Sequence, residues 1–385
     1  MTFGKMPIAN GFISKKNFKK EYFYEMSVGF SKEVSLVQLI NHPKPKQMFN
    51  KNYPFFTGSS KGMVTHFKKY AEWIKKKFKH NVTNLIEIGS NDGTFLLNFR
   101  DTNFKVLGIE PSSNVARISR KSGIKTLNKF FTFENVKKLK YLKNRVDVIC
   151  GANVICHIPD LIGVINSVDF LLSKKGVFIF EEPYLGSMYK KTSYDQIYDE
   201  HIYMFSVTSV KKIFNLYGFD LIDVIPQRTH GGSMRYIVGK KNQNKISTNV
   251  SKHLNKEKLA NIDKIKGCLE FKKRCENSKK KLLNKLKSIK SKGKTIAGYA
   301  ATSKSTTVLN YCSIGTDYID FICDTTKNKI GKYSPGMHIP IKSMKYFYNN
   351  IPEVVYLFAW NHRNEIFRKE KKLKNKIKWI SHVKI

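Results

Sequence analysis

The sequence predicts an α/β protein with a doubly wound parallel sheet in the middle of the chain, a small domain before it and a second α/β unit after it. Three observations carry this expectation. Between residues 84 and 182, short apolar runs of strand length alternate with longer segments of helical periodicity. A glycine-spaced turn, Gly89-Ser-Asn-Asp-Gly93, follows the first of those runs. After the polar stretch 243–292, the same alternation begins again at Gly293.

Residues 1–70 predict a small, irregular domain, with a strand in Val34–Ile40 and an aromatic, turn-rich segment from Met48 to Ser60. From Met63 to His80, Val64, Phe67, Ala71, Ile74 and Phe78 recur at helical spacing, which predicts a helix packed against the sheet that follows. Residues 71–242 form the central domain. Its strands are expected at Asn84–Ile88, Lys105–Ile109, Val146–Cys150, Gly176–Phe180 and Ser233–Val238, and helices at Asp160–Leu172 and after the glycine turn, opened by Phe95, Leu96 and Leu97. In residues 243–292, Leu259, Ile262, Ile265, Leu269, Leu282, Leu286 and Ile289 fall at roughly helical spacing, the pattern of a solvated amphipathic connector. Residues 293–385 make the second α/β unit, with strands at Thr295–Tyr299, Tyr318–Cys323 and Glu353–Phe358.

The glycine turn carries the first chemical information. Gly89 and Gly93 leave room for a ligand to lie against bare backbone. Glu110 ends the next strand, about twenty residues on, where a ribose-binding carboxylate sits in nucleotide-binding sheets. The turn lacks a full GxGxxG, and Glu87 places a carboxylate where a pyrophosphate would want no negative charge. A cationic, phosphate-free nucleoside, S-adenosylmethionine (SAM), suits such a pocket better than a dinucleotide, and the central domain is then a class I, Rossmann-like SAM-binding domain. Asp92 would also serve as a plain helix cap.

Composition narrows the partners. Lysine and arginine total 70 against 29 acidic residues, a formal net charge of +41, yet only nine of the 70 are arginine. Base and phosphate recognition favours the planar arginine fork. Lysine spread through nearly every segment looks like compositional drift, so no nucleic-acid partner is expected. A positive field would instead steer an anionic substrate. The chain has no apolar run of spanning length and its N-terminus lacks a signal peptide's apolar core, so a soluble, cytoplasmic protein without stable membrane association is expected, as monomer or homodimer. Six cysteines without CxxC spacing read as small apolar residues in a reducing compartment.

Motifs along nearly the whole chain resemble one family. Pro7-Ile-Ala-Asn10, Leu36-Val-Gln-Leu39, Glu87-Ile-Gly-Ser-Asn-Asp-Gly93, Asn153-Val-Ile-Cys-His157, Tyr198-Asp-Glu-His201, Thr229-His-Gly-Gly-Ser-Met-Arg235, Lys304 and Lys329-Ile-Gly-Lys-Tyr-Ser-Pro-Gly336 are similar in order and spacing to those of the SAM-dependent sugar C-methyltransferases of deoxysugar pathways. The resemblance implies an N-terminal zinc-binding domain, a SAM domain and a C-terminal α/β domain that helps hold a nucleotide-linked sugar. Two departures stand out. Where the family has a second CxxC pair this chain has Ser31 and Val34, and no cysteine precedes Cys150, so no zinc is expected. The family's His-Glu-His is Asp199-Glu200-His201 here.

On that resemblance His201 is the general base, with Glu200, Tyr198 and Tyr53 orienting the sugar or stabilising charge. Glu87, Gly89, Asn91, Asp92, Gly93, Glu110, Pro111, Asn153 and His157 are the SAM-binding set. His230, Gly231, Arg235, Lys304 and Lys332 are the substrate-binding set. An imidazole can serve as base for removal of a proton beside a ketone, leading to C-methylation, or of a hydroxyl proton, leading to O-methylation. The expected activity is methyl transfer to a nucleotide-activated sugar for surface polysaccharide. A nucleic-acid methyltransferase and a non-catalytic sugar-nucleotide-binding protein are the alternatives.

Overall fold

The computed structural model describes residues 1–385 except 50, 52, 54, 79–83 and 374. Strands β1 (Thr2–Pro7), β2 (Phe23–Ser31) and β3 (Leu36–Leu39) open the chain. The central segment holds β4 (Asn84–Ile88), β5 (Lys105–Ile109), β6 (Thr126–Leu127), β7 (Val146–Ala152), β8 (Leu172–Pro183), β9 (Tyr203–Met204), β10 (Phe219–Gln227) and β11 (Ser233–Lys240). The C-terminal segment adds β12 (Ile296–Tyr299), β13 (Phe321–Asp324), β14 (Ile341–Ser343), β15 (Val354–Leu357) and β16 (Lys378–Ile380).

The central sheet has seven strands in the order β10-β11-β8-β7-β4-β5-β6. Only β11 is reversed, antiparallel to both β8 and β10. Parallel strands covered on both faces need continuous apolar runs, and Val146, Val148, Ile149 and Cys150 of β7 and Val177 to Phe180 of β8 supply them. Helix Lys61–Lys77 covers one face through Phe67, Tyr70, Ala71 and Ile74, and helices Leu161–Leu171 and Val207–Leu216 cover the other. The chain order reverses between β4 and β7, so the loops after these strands diverge and leave a crevice at their carboxyl ends. This is the class I, Rossmann-like plan.

The C-terminal sheet is wholly parallel, in the order β14-β13-β12-β15-β16, with its own crevice between β12 and β15. The N-terminal sheet is antiparallel, β1-β2-β3-β9, and so borrows its last strand from the central segment.

Three expectations change. No α-helix follows the glycine turn, only the 3-10 turn Leu96–Phe99. There Asn98 Nδ2 donates to the Thr94 and Phe95 carbonyls and Thr102 Oγ1 to that of Phe99, so side chains compete with the helical ladder. The connector is not a solvated strut. It forms helices Thr248–Leu259 and Ile265–Lys290, and the second packs Phe271, Cys275, Leu282, Leu286 and Ile289 into a core shared with Met6, Val37, Tyr194 and Ile322. The helix expected to reach His80 runs Lys61–Lys77, and positions 79 and 80 lie outside the described residues.

Among the described residues no helix is long and apolar enough to cross a membrane. All six cysteines are unpaired, five of them buried.

Candidate active site

The two crevices face one another across a single cavity of about 1020 Å³. Its walls come from every part of the chain. Asn10 and Tyr53 belong to the N-terminal region, Gly89, Glu110 and Asn153 to the central sheet, and Lys304, Lys329 and Asn361 to the C-terminal unit.

On the central side the glycine turn is drawn tight by its neighbours. Asn91, in the left-handed region at φ +49°, donates its backbone N–H to Glu110 Oε2 at 3.0 Å, while Ser112 N–H donates to Oε1 at 2.7 Å. A carboxylate accepts about four hydrogen bonds, so Glu110 keeps capacity for ligand hydroxyls. Gly89 adopts φ +65°, and a Cβ there would stand 2.6 Å from Val154 Cγ2. Asn91 and Asp92 also receive the backbone N–H groups of Thr57 and Gly58, which fastens the N-terminal loop over the turn.

Burial, with Asp92 and Glu110 nearby, pushes the Glu87 carboxyl well above the usual range, and its Oε2 has no partner among the described residues. Asn153 Oδ1 and His157 Nε2 are likewise buried without a partner. Asn153 and His157 stand on the cavity wall, where such orphaned polar atoms call for a ligand. Glu182 holds the loop that carries Asn153 and His157, its Oε1 accepting from Val154, Ile155 and Cys156 N–H, and burial raises its carboxyl to about 7.

His201 sits where the halves of the cavity meet. Its Nδ1 is 2.7 Å from the Gln196 carbonyl oxygen and its Nε2 is 2.8 Å from the Tyr198 hydroxyl. A carbonyl can only accept, so Nδ1 carries the hydrogen and Nε2 presents a lone pair, toward which Tyr198 donates. Burial pulls the ring's pKa down to about 4 and raises the Tyr198 phenol well above its usual value, so both are neutral at pH 7. Glu200 accepts from Asn10 Nδ2 at 2.8 Å, and the buried Asp199 beside it accepts from Ala9 N–H. Burial raises both carboxyls, and the charge of Glu200 raises that of Asp199 further.

Cys156, His157 and His201 place a possible ligand atom each within 4.8 Å of one another. Both His201 nitrogens are already engaged, and burial keeps the Cys156 thiol protonated, so the trio suits proton handling better than metal ligation. In the N-terminal sheet Ser31 Oγ donates to Glu33 Oε2.

On the C-terminal side Thr302 caps helix Ser303–Cys312, accepting from Ser305 N–H, and Lys304 lies over the Trp360 ring at 4.9 Å with Nζ 3.3 Å from Asn361 Oδ1. Burial lowers the pKa of Lys304 and of Lys329, whose Nζ donates to the Ala301 carbonyl. Asp324 ends β13 and accepts from Ala301 N–H, as Glu110 follows β5 and accepts from Asn91 N–H.

The structure thus brings Tyr53, Tyr198, Glu200, His201, Gly89, Asn91, Glu110, Pro111, Asn153, His157, His230 and Lys304 to the cavity wall. Glu87, Asp92 and Gly93 stand behind the turn, where a Cβ on Gly93 would meet Ser119 Oγ at 2.7 Å. Three members of the substrate set, Arg235, Lys332 and Gly231, do not line the wall. Arg235 turns away into a buried pair, its Nε 2.6 Å from Glu181 Oε1, stacked over Tyr70 at 3.8 Å, and Lys332 is not on the wall. Gly231 also stands behind the wall and gives passage to the Trp360 ring, which a Cβ would approach to 2.2 Å. Not singled out from sequence are Asn10 and Lys329, which lay inside quoted motifs, and Asn361 and His362, for which β15 followed by a polar loop was the available signal.

Residues 63–224 match the family model described as a methyltransferase domain, and residues 228–383 match that of the C-methyltransferase C-terminal domain. The C-methyltransferase NovU of Streptomyces niveus is 28% identical over 374 residues, covering 96% of this chain and 89% of that protein. Among solved structures, a SAM-dependent methyltransferase of Thermotoga maritima is 21% identical, covering 47% of this chain and 92% of that one at a TM-score of 0.36. The magnesium protoporphyrin IX methyltransferase of Synechocystis, with bound SAM, is 11% identical, covering 47% and 80% at a TM-score of 0.36. By its strand order and its two matched domains, the chain has the class I, Rossmann-like methyltransferase fold, and its second half matches the C-terminal domain of C-methyltransferases.

Proposed function

We propose that the chain transfers a methyl group from SAM to a carbon atom of a nucleotide-linked sugar, with His201 as general base. One observation carries this reading: a neutral imidazole with a fixed tautomer stands in a cavity shared by a SAM-type crevice and a second α/β crevice. When bound, SAM supplies a methyl carbon made electrophilic by a positive sulfur. Glu110 would hold the ribose hydroxyls, and the orphaned oxygen of Asn153 on the same wall suits an N–H donor of the ligand.

The rest is work for this chain's own side chains. His201 Nε2 takes the proton beside a sugar ketone, directly or through the Tyr198 hydroxyl that already donates to it. Tyr53, Tyr198 and Glu200 line the same wall and can hydrogen-bond the sugar. Lys304 and Lys329, with the capped N-terminus of helix Ser303–Cys312, would meet a diphosphate, and His230 on the same wall would meet the sugar. The matched C-methyltransferase C-terminal domain favours carbon over oxygen as acceptor. Surface polysaccharide is the destination such a methylated sugar would have.

The test is direct. Incubation with SAM and a panel of sugar nucleotides, read by mass spectrometry, should show a gain of one methyl. In deuterated water without SAM, the true substrate should exchange the proton beside its ketone. Methyl gain without any carbon exchange would move the acceptor to a hydroxyl, and no methyl gain on any keto sugar nucleotide would refute the substrate class.

A further inference from the structure

The His201 tautomer depends on a carbonyl, and that carbonyl belongs to a segment the C-terminal unit holds in place. Gln196 lies in the one-turn helix Tyr194–Gln196, whose middle residue, Asp195, is fully buried. Asp195 Oδ2 accepts from the Trp360 indole N–H at 2.7 Å, and Oδ1 lies 3.1 Å from His382 Nε2. The Tyr356 hydroxyl lies 2.8 Å from His382 Nδ1 and accepts from the His382 backbone N–H at 3.1 Å, which holds the imidazole beside Asp195. Thr307 Oγ1 donates to the Ile197 carbonyl at 2.9 Å, one residue beyond Gln196. Trp360, His382, Tyr356 and Thr307 all belong to the C-terminal unit, and Trp360 stands beneath Lys304 and next to Asn361 on the cavity wall.

We infer that Asp195 is a positioning residue: it ties the Gln196 carbonyl, and through it the His201 tautomer, to the C-terminal wall of the cavity. Buried charge-assisted bonds are stiff and directional. A single backbone step separates the carboxylate's own residue from the carbonyl that orients the base. The same Trp360 that donates to Asp195 carries the lysine expected to meet the nucleotide, so base and substrate wall are registered by one side chain. The inference rests on His201 as base for its catalytic consequence, but not for its structural one.

Asp195→Asn and Trp360→Phe separate the two. Asp195→Asn removes the charge at constant size, and Trp360→Phe deletes the indole N–H while keeping a ring beside Gly231. Each is measured for kcat, KM, SAM affinity by calorimetry, and the His201 tautomer by 15N NMR. The expected result is a fall in kcat of about 100-fold for Asp195→Asn and a smaller fall for Trp360→Phe, because a misplacement of about 1 Å can cost that much. SAM affinity should stay within a few-fold, and the His201 ring should lose its pure Nδ1–H form. Folded variants with unchanged kcat and tautomer overturn the inference, and if Asp195→Asn does not fold, Trp360→Phe decides it in the same way. An inactive His201→Asn beside a fully active Asp195→Asn would sink this inference alone. A fully active His201→Asn would sink the base assignment, leaving the tautomer measurement to judge Asp195.

Discussion

With Gln196 accepting from Nδ1 and Tyr198 donating to Nε2, the His201 ring is held neutral by burial, which moves its pKa down to about 4. The unfolded chain takes up that proton near 6.5, the folded one only near 4. The group therefore contributes stability that is complete above pH 6.5 and lost as pH falls toward 4. The same displacement predicts a kcat/KM profile without an inflection near 6.5, its acid limb lying close to pH 4. A limb at 6.5 would mean that another group limits the rate. His201→Asn should lower kcat by about 10²–10⁴-fold while SAM affinity stays within a few-fold. Wild-type turnover in that variant would transfer the role to Glu200 or His230. At the other end of the cavity, Glu110→Ala removes the acceptor of Asn91 and Ser112 N–H as well as the ribose contacts proposed for it. Charged hydrogen bonds are worth roughly 1.5–3 kcal/mol each, so SAM should bind at least about tenfold more weakly by calorimetry. Unchanged affinity would remove Glu110 from the site.

Elements divide by how local their causes are. The strands β4, β5 and β7 were legible because parallel, doubly covered strands write themselves as apolar runs, and Gly89 marked its turn because φ +65° excludes most other residues. The helix expected after Gly93 was not legible, since it fails through the carbonyl-seeking side chains of Asn98 and Thr102. Nor was the buried face of Ile265–Lys290, because its amphipathic pattern is the same whether the apolar stripe meets a core or only skirts one. Arg235 shows the same limit in the site: its motif was visible, but its partner Glu181 is 54 residues away in sequence. Glu257 is a case where the element itself can be tested. From helix Thr248–Leu259 it accepts from Val207 N–H, from Thr208 N–H and Oγ1, and from the Tyr184 hydroxyl, capping helix Val207–Leu216 from outside. Glu257→Ala leaves those donors buried without a partner and should cost roughly 3 kcal/mol in denaturant unfolding. A loss below about 0.5 kcal/mol, the size of an ordinary surface substitution, would show that the connector does not stabilise the central sheet.

At the scale of the whole molecule, two α/β units present their crevices to one cavity, and the N-terminal sheet, completed by β9, shares a core with the C-terminal unit. The site is thus a property of the assembly, with Asn10 against Glu200 and Trp360 against Asp195 as its cross-links. Ser31, the last residue of β2, and Val34, in the turn after it, stand where the resemblance implies thiolate ligands, so elemental analysis should find no stoichiometric zinc. One zinc per chain would mean that other ligands, the Cys156–His157–His201 trio first among them, had been recruited. The formal charge of +41 acts over the same scale. A doubly anionic sugar nucleotide approaching this field is attracted before it touches any residue, and the attraction is screened over about 10 Å at 0.1 M salt. Raising ionic strength should therefore raise KM for the sugar nucleotide while leaving kcat nearly constant, because screening acts on the approach of the substrate more than on the short contacts it makes once bound. SAM, which carries no phosphate, should show a much flatter dependence. Equal salt slopes for both ligands would show that the positive field does not steer the substrate and that the lysines are only compositional.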